Sequence, residues 1–126
     1  MGTFIYKVLR SFGYAGQGIV SMVTERNMQV HLMAALIVVF LGNLVRLSRD
    51  EWFIILIVIA AVFALEMVNT AVEELANIVR DELKLSYKAT QRARDVAAGA
   101  VLVMAVVAAI IGTTIFLPKI LTLLSA

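Results

Sequence analysis

Glu66, Asn69, Glu73 and Asn77 recur at spacings of three and four residues inside a segment that is otherwise apolar. On a helix advancing about 100° per residue, Asn69 lies roughly 60° from Glu66, Glu73 about 20° from it, and Asn77 about 20° to the other side. The four share one stripe, while Glu74 falls roughly 80° away. A rise of about 1.5 Å per residue puts Glu73 on the order of 10 Å beyond Glu66 along the axis. The charge-free run before them, Trp52 to Leu65, is fourteen residues long. A bilayer span needs about 20 apolar residues, so the helix has to continue through the acids towards Val79. An ionisable group at that depth costs about 2.5–3.5 kcal/mol even on lenient insertion scales, and it marks function by default. One deep acid and one near an interface, on a common face, suit a site that joins a lipid-embedded reactant to a water-borne one.

Carboxylates in such a place can do two jobs. One kept from bulk water serves as a general base. Others hold Mg²⁺, which binds through one or two carboxylates plus substrate phosphates. Glu66, the deeper, suits the first job and Glu73 the second. Glu25, in Glu25-Arg26-Asn27 at the start of the first span, is the natural second metal ligand. Arg94 and Asp95, at the entrance to the last span, are placed to meet nucleotide phosphates and amines. On the residues alone, an intramembrane Glu serves equally in a proton or ion pathway or in an interhelical hydrogen bond. A non-enzymatic membrane protein of that kind, or a small scaffold, therefore stays open at this point. His31 reads more readily as a hydrogen-bonded polar group than as a ligand. Glu74 reads as an interfacial charge, Trp52 as an interfacial anchor, and the charges from Lys84 to Arg92 as a solvated loop.

Other chemistries lack their residues. There is no Walker-type loop and no HExxH zinc motif. Gly13-x-x-Gly16-x-Gly18 has no strand–turn–helix context and is not a dinucleotide fingerprint. The chain has no cysteine, which excludes disulfides and thiolate chemistry.

The elements that must position these residues follow from hydropathy. Of 126 residues 62% are hydrophobic, which excludes an ordinary soluble domain. The expected fold is all-α and integral to the membrane, as a single domain over 1–126. A surface helix covers about 3–25, and three spans cover about 28–47, 52–79 and 94–117. Pro118 is the expected stop of the last. Phe4, Ile5, Val8, Leu9 and Phe12 follow helical spacing with Lys7, Arg10 and Ser11 on other faces, as in an amphipathic helix lying on the membrane. Lys7 and Arg10 interrupt that stretch, so it is not expected to be a cleavable signal. Gly13-Tyr-Ala-Gly16-Gln-Gly18 is expected to loosen the chain before it turns inward.

Eight Lys and Arg residues lie in the N-terminal segment and the second connection, against three (Arg46, Arg49, Lys119) on the opposite side. That bias places the N-terminus and the second connection in the cytoplasm, next to nucleotides. The net charge of +2 is small; the basic residues are explained by topology and anionic headgroups, not by nucleic acid. Small residues in the last span, including Ala97, Gly99, Ala105 and Ala108, favour close helix approach and hence oligomerisation.

These residues together resemble the prokaryotic diacylglycerol kinase family, and within it the undecaprenol kinase branch. The resemblance covers nearly the whole chain. It is carried by Arg10-Ser-Phe-Gly-Tyr14-Ala-Gly16-Gln-Gly18, by Thr24-Glu25-Arg26-Asn27 followed by His31, and by Glu66-Met-Val-Asn69-Thr-Ala-Val-Glu73. Arg94-Asp95-Val-Ala-Ala-Gly-Ala-Val-Leu102 and the Phe116-Leu-Pro-Lys119 terminus continue it. The resemblance implies a homotrimer in the bacterial plasma membrane that transfers phosphate from ATP, with Mg²⁺, to a lipid alcohol at the cytoplasmic interface. The alcohol implied is undecaprenol, giving undecaprenyl phosphate; diacylglycerol, giving phosphatidic acid, is the alternative. Glu66 becomes the general base with Asn69 beside the reacting hydroxyl, and Arg10 and His31 face the lipid. Glu25 and Glu73 become metal ligands, and they contact ATP together with Lys7, Tyr14, Arg94 and Asp95. Asn77 stands where family members often have Asp and is not counted as a ligand. Lys7 and Arg94 stand where a familiar diacylglycerol kinase has Arg and Lys, an exchange that keeps charge but changes hydrogen-bond geometry. The connection from Asp81 to Gln91 has no secure counterpart there, so no ATP contact is assigned to it.

Overall fold

A computed structural model describes residues 2–125. Four helices follow one another: α1 (Gly2–Met22), α2 (Arg26–Leu44), α3 (Arg49–Glu82) and α4 (Tyr87–Leu124). The last three are each long and apolar enough to cross a membrane. At about 1.5 Å per residue α3 and α4 run roughly 50 Å or more, well beyond an about 30 Å hydrocarbon core, so each has an end standing clear of it.

Local chemistry fixes the turns. Between α2 and α3, Arg46 takes a left-handed φ of 54° and Leu47 folds back into the core. Ser48 and Glu51 then form a reciprocal capping box, with Ser48 N donating to Glu51 Oε2 at 2.7 Å and Glu51 N to Ser48 Oγ at 3.3 Å. Two otherwise orphaned donors at the start of α3 are thereby satisfied. Lys119 of α4 reaches the same carboxylate at 3.1 Å. The second hairpin turns through Leu83–Ser86, with Lys84 again left-handed at φ 53°.

α3 packs mainly on α4 and less extensively on α2. Its buried residues, Ile55, Val58, Val62, Glu66, Asn69 and Ala76, lie on one stripe at spacings of three, four and seven. Near the α2–α3 turn that stripe is apolar, and Leu47, Ile55 and Phe116 form a core against Trp52, Ile59 and Ile120. Large apolar side chains elsewhere on the spans, such as Ile57, Leu102 and Ile110, are exposed within the single chain.

Several expectations are corrected. α1 ends at Met22, short of 25, and is continuous through Gly13, Gly16 and Gly18, none of which has a positive φ. A helical glycine costs only about 1 kcal/mol relative to alanine, so a helix with no proline can carry three. The break comes instead at Val23–Glu25, where Glu25 N donates to Met22 O at 3.0 Å. Pro118 does not stop the last helix, which continues to Leu124. Ile120 beyond it packs on the core, and that continued packing outweighs the one backbone bond that proline cannot donate. Trp52, in the first turn of α3, is half-buried with its ring against Gly42. The charges at Lys88 and Arg92 are on the first turns of α4, and only Leu83–Ser86 is loop.

Candidate active site

Where the α3 stripe turns polar, burial persists. Glu66 is 2% exposed and Asn69 4%, the two buried polar residues among those described. Helical spacing explains their position: they continue the face that Ile55, Val58 and Val62 bury, so α3 cannot pack its apolar half without carrying these two inward. From α2, His31 approaches with Nε2 3.8 Å from Glu66 Oε2. That is beyond hydrogen-bond distance, so the imidazole is an electrostatic neighbour and not a donor to the carboxylate. Glu66 Oε1 has no hydrogen-bond partner in the protein.

One turn on, Asn69 Nδ2 donates to Glu73 Oε1 at 3.1 Å. This fixes the amide orientation and leaves Asn69 Oδ1 buried without a partner. An unsatisfied buried polar atom costs about 1–3 kcal/mol, and two acceptors one turn apart make a place that a hydroxyl donor would relieve. Glu73 is half-buried, with Oε2 clear of the Asn69 bond, and Glu74 is exposed, as its angular offset predicts. An apolar groove of about 550 Å³ lies between α2, α3 and α4, with His31 on its wall and Ala35, Val62, Ala108 and Gly112 among its lining.

Beyond Glu73, towards the α3–α4 turn, Arg94 Nη2 donates to Asn77 Oδ1 at 3.0 Å, and Nε approaches Thr90 Oγ1 at 3.5 Å. The guanidinium lies 5.0 Å from the Tyr87 ring centroid. Asp95 is exposed beside it.

The structure thus brings Glu66, Asn69, Glu73 and His31 together, and sets Arg94 against Asn77 on the same helix. It does not tie the rest to them. Glu25 is the extended N-cap of α2 (φ −72°, ψ 131°), exposed and without a side-chain cap bond. Lys7, Arg10 and Tyr14 are exposed on α1, where Arg10 bonds the Tyr14 hydroxyl and stacks 5.3 Å from its ring centroid. Among the described residues no side-chain hydrogen bond or ion pair joins these three to α2, α3 or α4. Nor does any cluster of three His, Asp or Glu side chains stand ready to hold a metal among the described residues.

The Asn77–Arg94 bond was not expected. Its signal was faint: the two residues flank a short turn at a separation of 17, where an antiparallel helical hairpin brings partners opposite.

The chain matches the family model for prokaryotic diacylglycerol kinase over residues 13–116. It is 45% identical over 114 residues, 90% of each chain, to the undecaprenol kinase of Bacillus subtilis. It is 32% identical over 119 residues to the diacylglycerol kinase of Synechocystis, covering 93% of this chain and 66% of that one. No solved structure matches. With most of its length inside the family model and a relative of this identity along nine-tenths of both chains, the protein belongs to the prokaryotic diacylglycerol kinase family.

Proposed function

We propose that this protein is an ATP- and Mg²⁺-dependent lipid kinase that phosphorylates undecaprenol at the cytoplasmic face of the membrane. The observation that carries the reading is Glu66: a buried carboxylate with one oxygen unpartnered, facing His31, which lines the apolar groove. The lipid chain lies along that groove and presents its hydroxyl to Glu66 Oε1 and Asn69 Oδ1. Glu66 takes the hydroxyl proton as the alcohol oxygen bonds to the γ-phosphorus. The bond from that phosphorus to the bridging oxygen breaks, and ADP leaves with the electron pair. Positioning and charge stabilisation supply most of the catalysis in such a transfer.

The donor set suits Mg²⁺. Glu73 keeps an oxygen clear of Asn69, and Glu25 has a carboxylate uncommitted to its cap. One or two carboxylates plus phosphates are what this ion ordinarily uses, without an all-protein cage. When bound, the ion neutralises charge on the phosphates. Lys7, Tyr14, Arg94 and Asp95 hold ATP, and Arg10 and His31 flank the lipid head.

The sparse burial of the single chain supports a homotrimer, in which the exposed apolar side chains of α4, such as Leu102, Val103, Val106 and Ile110, meet neighbouring helices. α1 then lies along the membrane surface, on the same side as the α3–α4 turn.

Undecaprenol is preferred to diacylglycerol because the relative of that name is the more similar, at 45% against 32%. The physical distinction lies at the head, where diacylglycerol carries ester carbonyls and undecaprenol only an allylic carbon. His31 and Asn69 Nδ2 are the nearby donors, and one of the two N–H groups of the latter is held by Glu73. Phosphorylation of each lipid alcohol with radiolabelled ATP, in one detergent–lipid mixture, should give the higher kcat/KM for undecaprenol. A higher value for diacylglycerol would reassign the substrate and keep the reaction.

A further inference from the structure

Gln29 grips the elbow between α1 and α2 on both sides of Glu25. Its side-chain Nε2 donates to Val23 O at 3.3 Å and approaches Thr24 O at 3.5 Å, while its backbone N donates to Glu25 O at 2.9 Å. One residue thus reaches three consecutive carbonyls, the last being that of Glu25 itself. The carbonyls before them are taken locally: Met22 O accepts from Glu25 N at 3.0 Å, and Ser21 O from Thr24 Oγ1 at 2.8 Å. Met22 and Met28, flanking the elbow, are buried, whereas Gln29 is exposed and its amide still turns back to the chain. The N-cap of α2 points the same way. Ser, Thr, Asp and Asn are the preferred caps, yet Glu25 fills this position and its carboxylate caps nothing. The Glu25 backbone is therefore held on either side while its carboxylate stays free, the arrangement a ligand on a short connection requires.

We propose that Gln29 is the positioning residue for Glu25: its amide clasps the Val23 and Thr24 carbonyls and so holds the Glu25 carboxylate where it meets the ion carried by the nucleotide. This rests on the kinase reading above. Only the donor half of the amide is used, because both partners are carbonyl oxygens. A side chain that reaches the elbow with an N–H keeps the clasp. One that has no donor leaves the elbow free to swing, and Glu25 with it.

The test sets a donor-less variant against one that keeps a donor. Mg-ATP is titrated calorimetrically into the full chain in detergent without lipid alcohol, and thermal stability is read on the same samples. Gln29→Met should bind about tenfold more weakly, the lower end of what removing a group that orients a metal ligand costs. Its melting temperature should stay as in the wild type, since the side chain is exposed. Gln29→Arg should stay within about threefold of the wild type, the size of one exposed charge effect. In the Glu25→Gln background Gln29→Met should add almost nothing, because the group it aims is already gone. In turnover, the KM for Mg-ATP should rise in Gln29→Met while the KM for undecaprenol stays put. Wild-type affinity in Gln29→Met overturns the proposal. So does a loss in Gln29→Arg as large as in Gln29→Met, or a loss that persists undiminished in the Glu25→Gln background. Gln29→Ala, equally donor-less and a strong helix former, decides the matter if the methionine variant does not fold. A wild-type chain that binds no Mg-ATP would instead sink the kinase reading itself, and this inference with it.

Discussion

The two halves of the α3 stripe are built from the same helix and buried to the same degree, yet they are finished differently. Near the α2–α3 turn, Ile55, Val58 and Val62 meet apolar partners, Glu51 is capped and ion-paired, and Gly42 admits the Trp52 ring. No buried side-chain polar atom is left without a partner there among the described residues. Roughly three to four helical turns beyond Ile55, Glu66 and Asn69 are as buried as it is but keep one unpartnered buried oxygen each. Burial without satisfaction is costly, and a fold tolerates it where the missing partner is a substrate. The first half holds the helices together; the second half, on the function proposed above, holds atoms ready for a reaction.

Substitutions in the two halves should therefore separate turnover from stability. The largest effect on turnover is expected at Glu66→Gln, which keeps shape but cannot accept the proton. The kcat should fall by roughly 10²–10⁴-fold while circular dichroism and detergent-resolved size stay as in the wild type. Next come Glu25→Gln and Glu73→Gln, each expected to lower apparent Mg-ATP affinity on the order of 10–100-fold in a metal-dependence assay. At the other end the expectation inverts. A Cβ on Gly42 would lie 2.7 Å from Trp52 Cη2 and 2.9 Å from Leu47 Cδ1, so Gly42→Ala should destabilise by about 1–3 kcal/mol in thermal unfolding, with the KM for both substrates unchanged. The smallest change is expected at Glu74→Gln, exposed and off the stripe, whose Mg-ATP affinity should stay close to wild type. Equal sensitivity at Glu25, Glu73 and Glu74 would mean diffuse attraction in place of coordination, and the contrast would collapse.

Much of this was legible in the residues because it depends on period. Three apolar segments of spanning length, and Glu66, Asn69 and Glu73 on one face, follow from 3.6 residues per turn and needed no neighbours. What period does not encode was read less well. Pro118 and the glycines of α1 carry local penalties of a size that continued packing or unbroken helix outweighs. The packing of Trp52 against Gly42 could not be seen in the sequence because the glycine lies ten residues away on another helix. The Asn77–Arg94 bond depends on how a hairpin closes, so period places Asn77 on the stripe without naming its partner. Glu25 and the α1 residues stay apart from the stripe within one chain, and the proposed homotrimer would supply further helices to close that distance.

The central claim is that the unpartnered atoms around Glu66 are kept for chemistry at the expense of stability, and Glu66→Leu tests it most directly. Replacing a buried, poorly satisfied ionisable group by an apolar one of similar volume is often neutral or stabilising by about 1–4 kcal/mol. Thermal unfolding and undecaprenol phosphorylation should be measured on the same detergent-solubilised sample. The account predicts phosphorylation abolished with a melting temperature equal to or above that of the wild type. A Glu66→Leu chain that melts well below the wild type as its activity disappears would show Glu66 to be a structural member of the bundle, and would contradict the account.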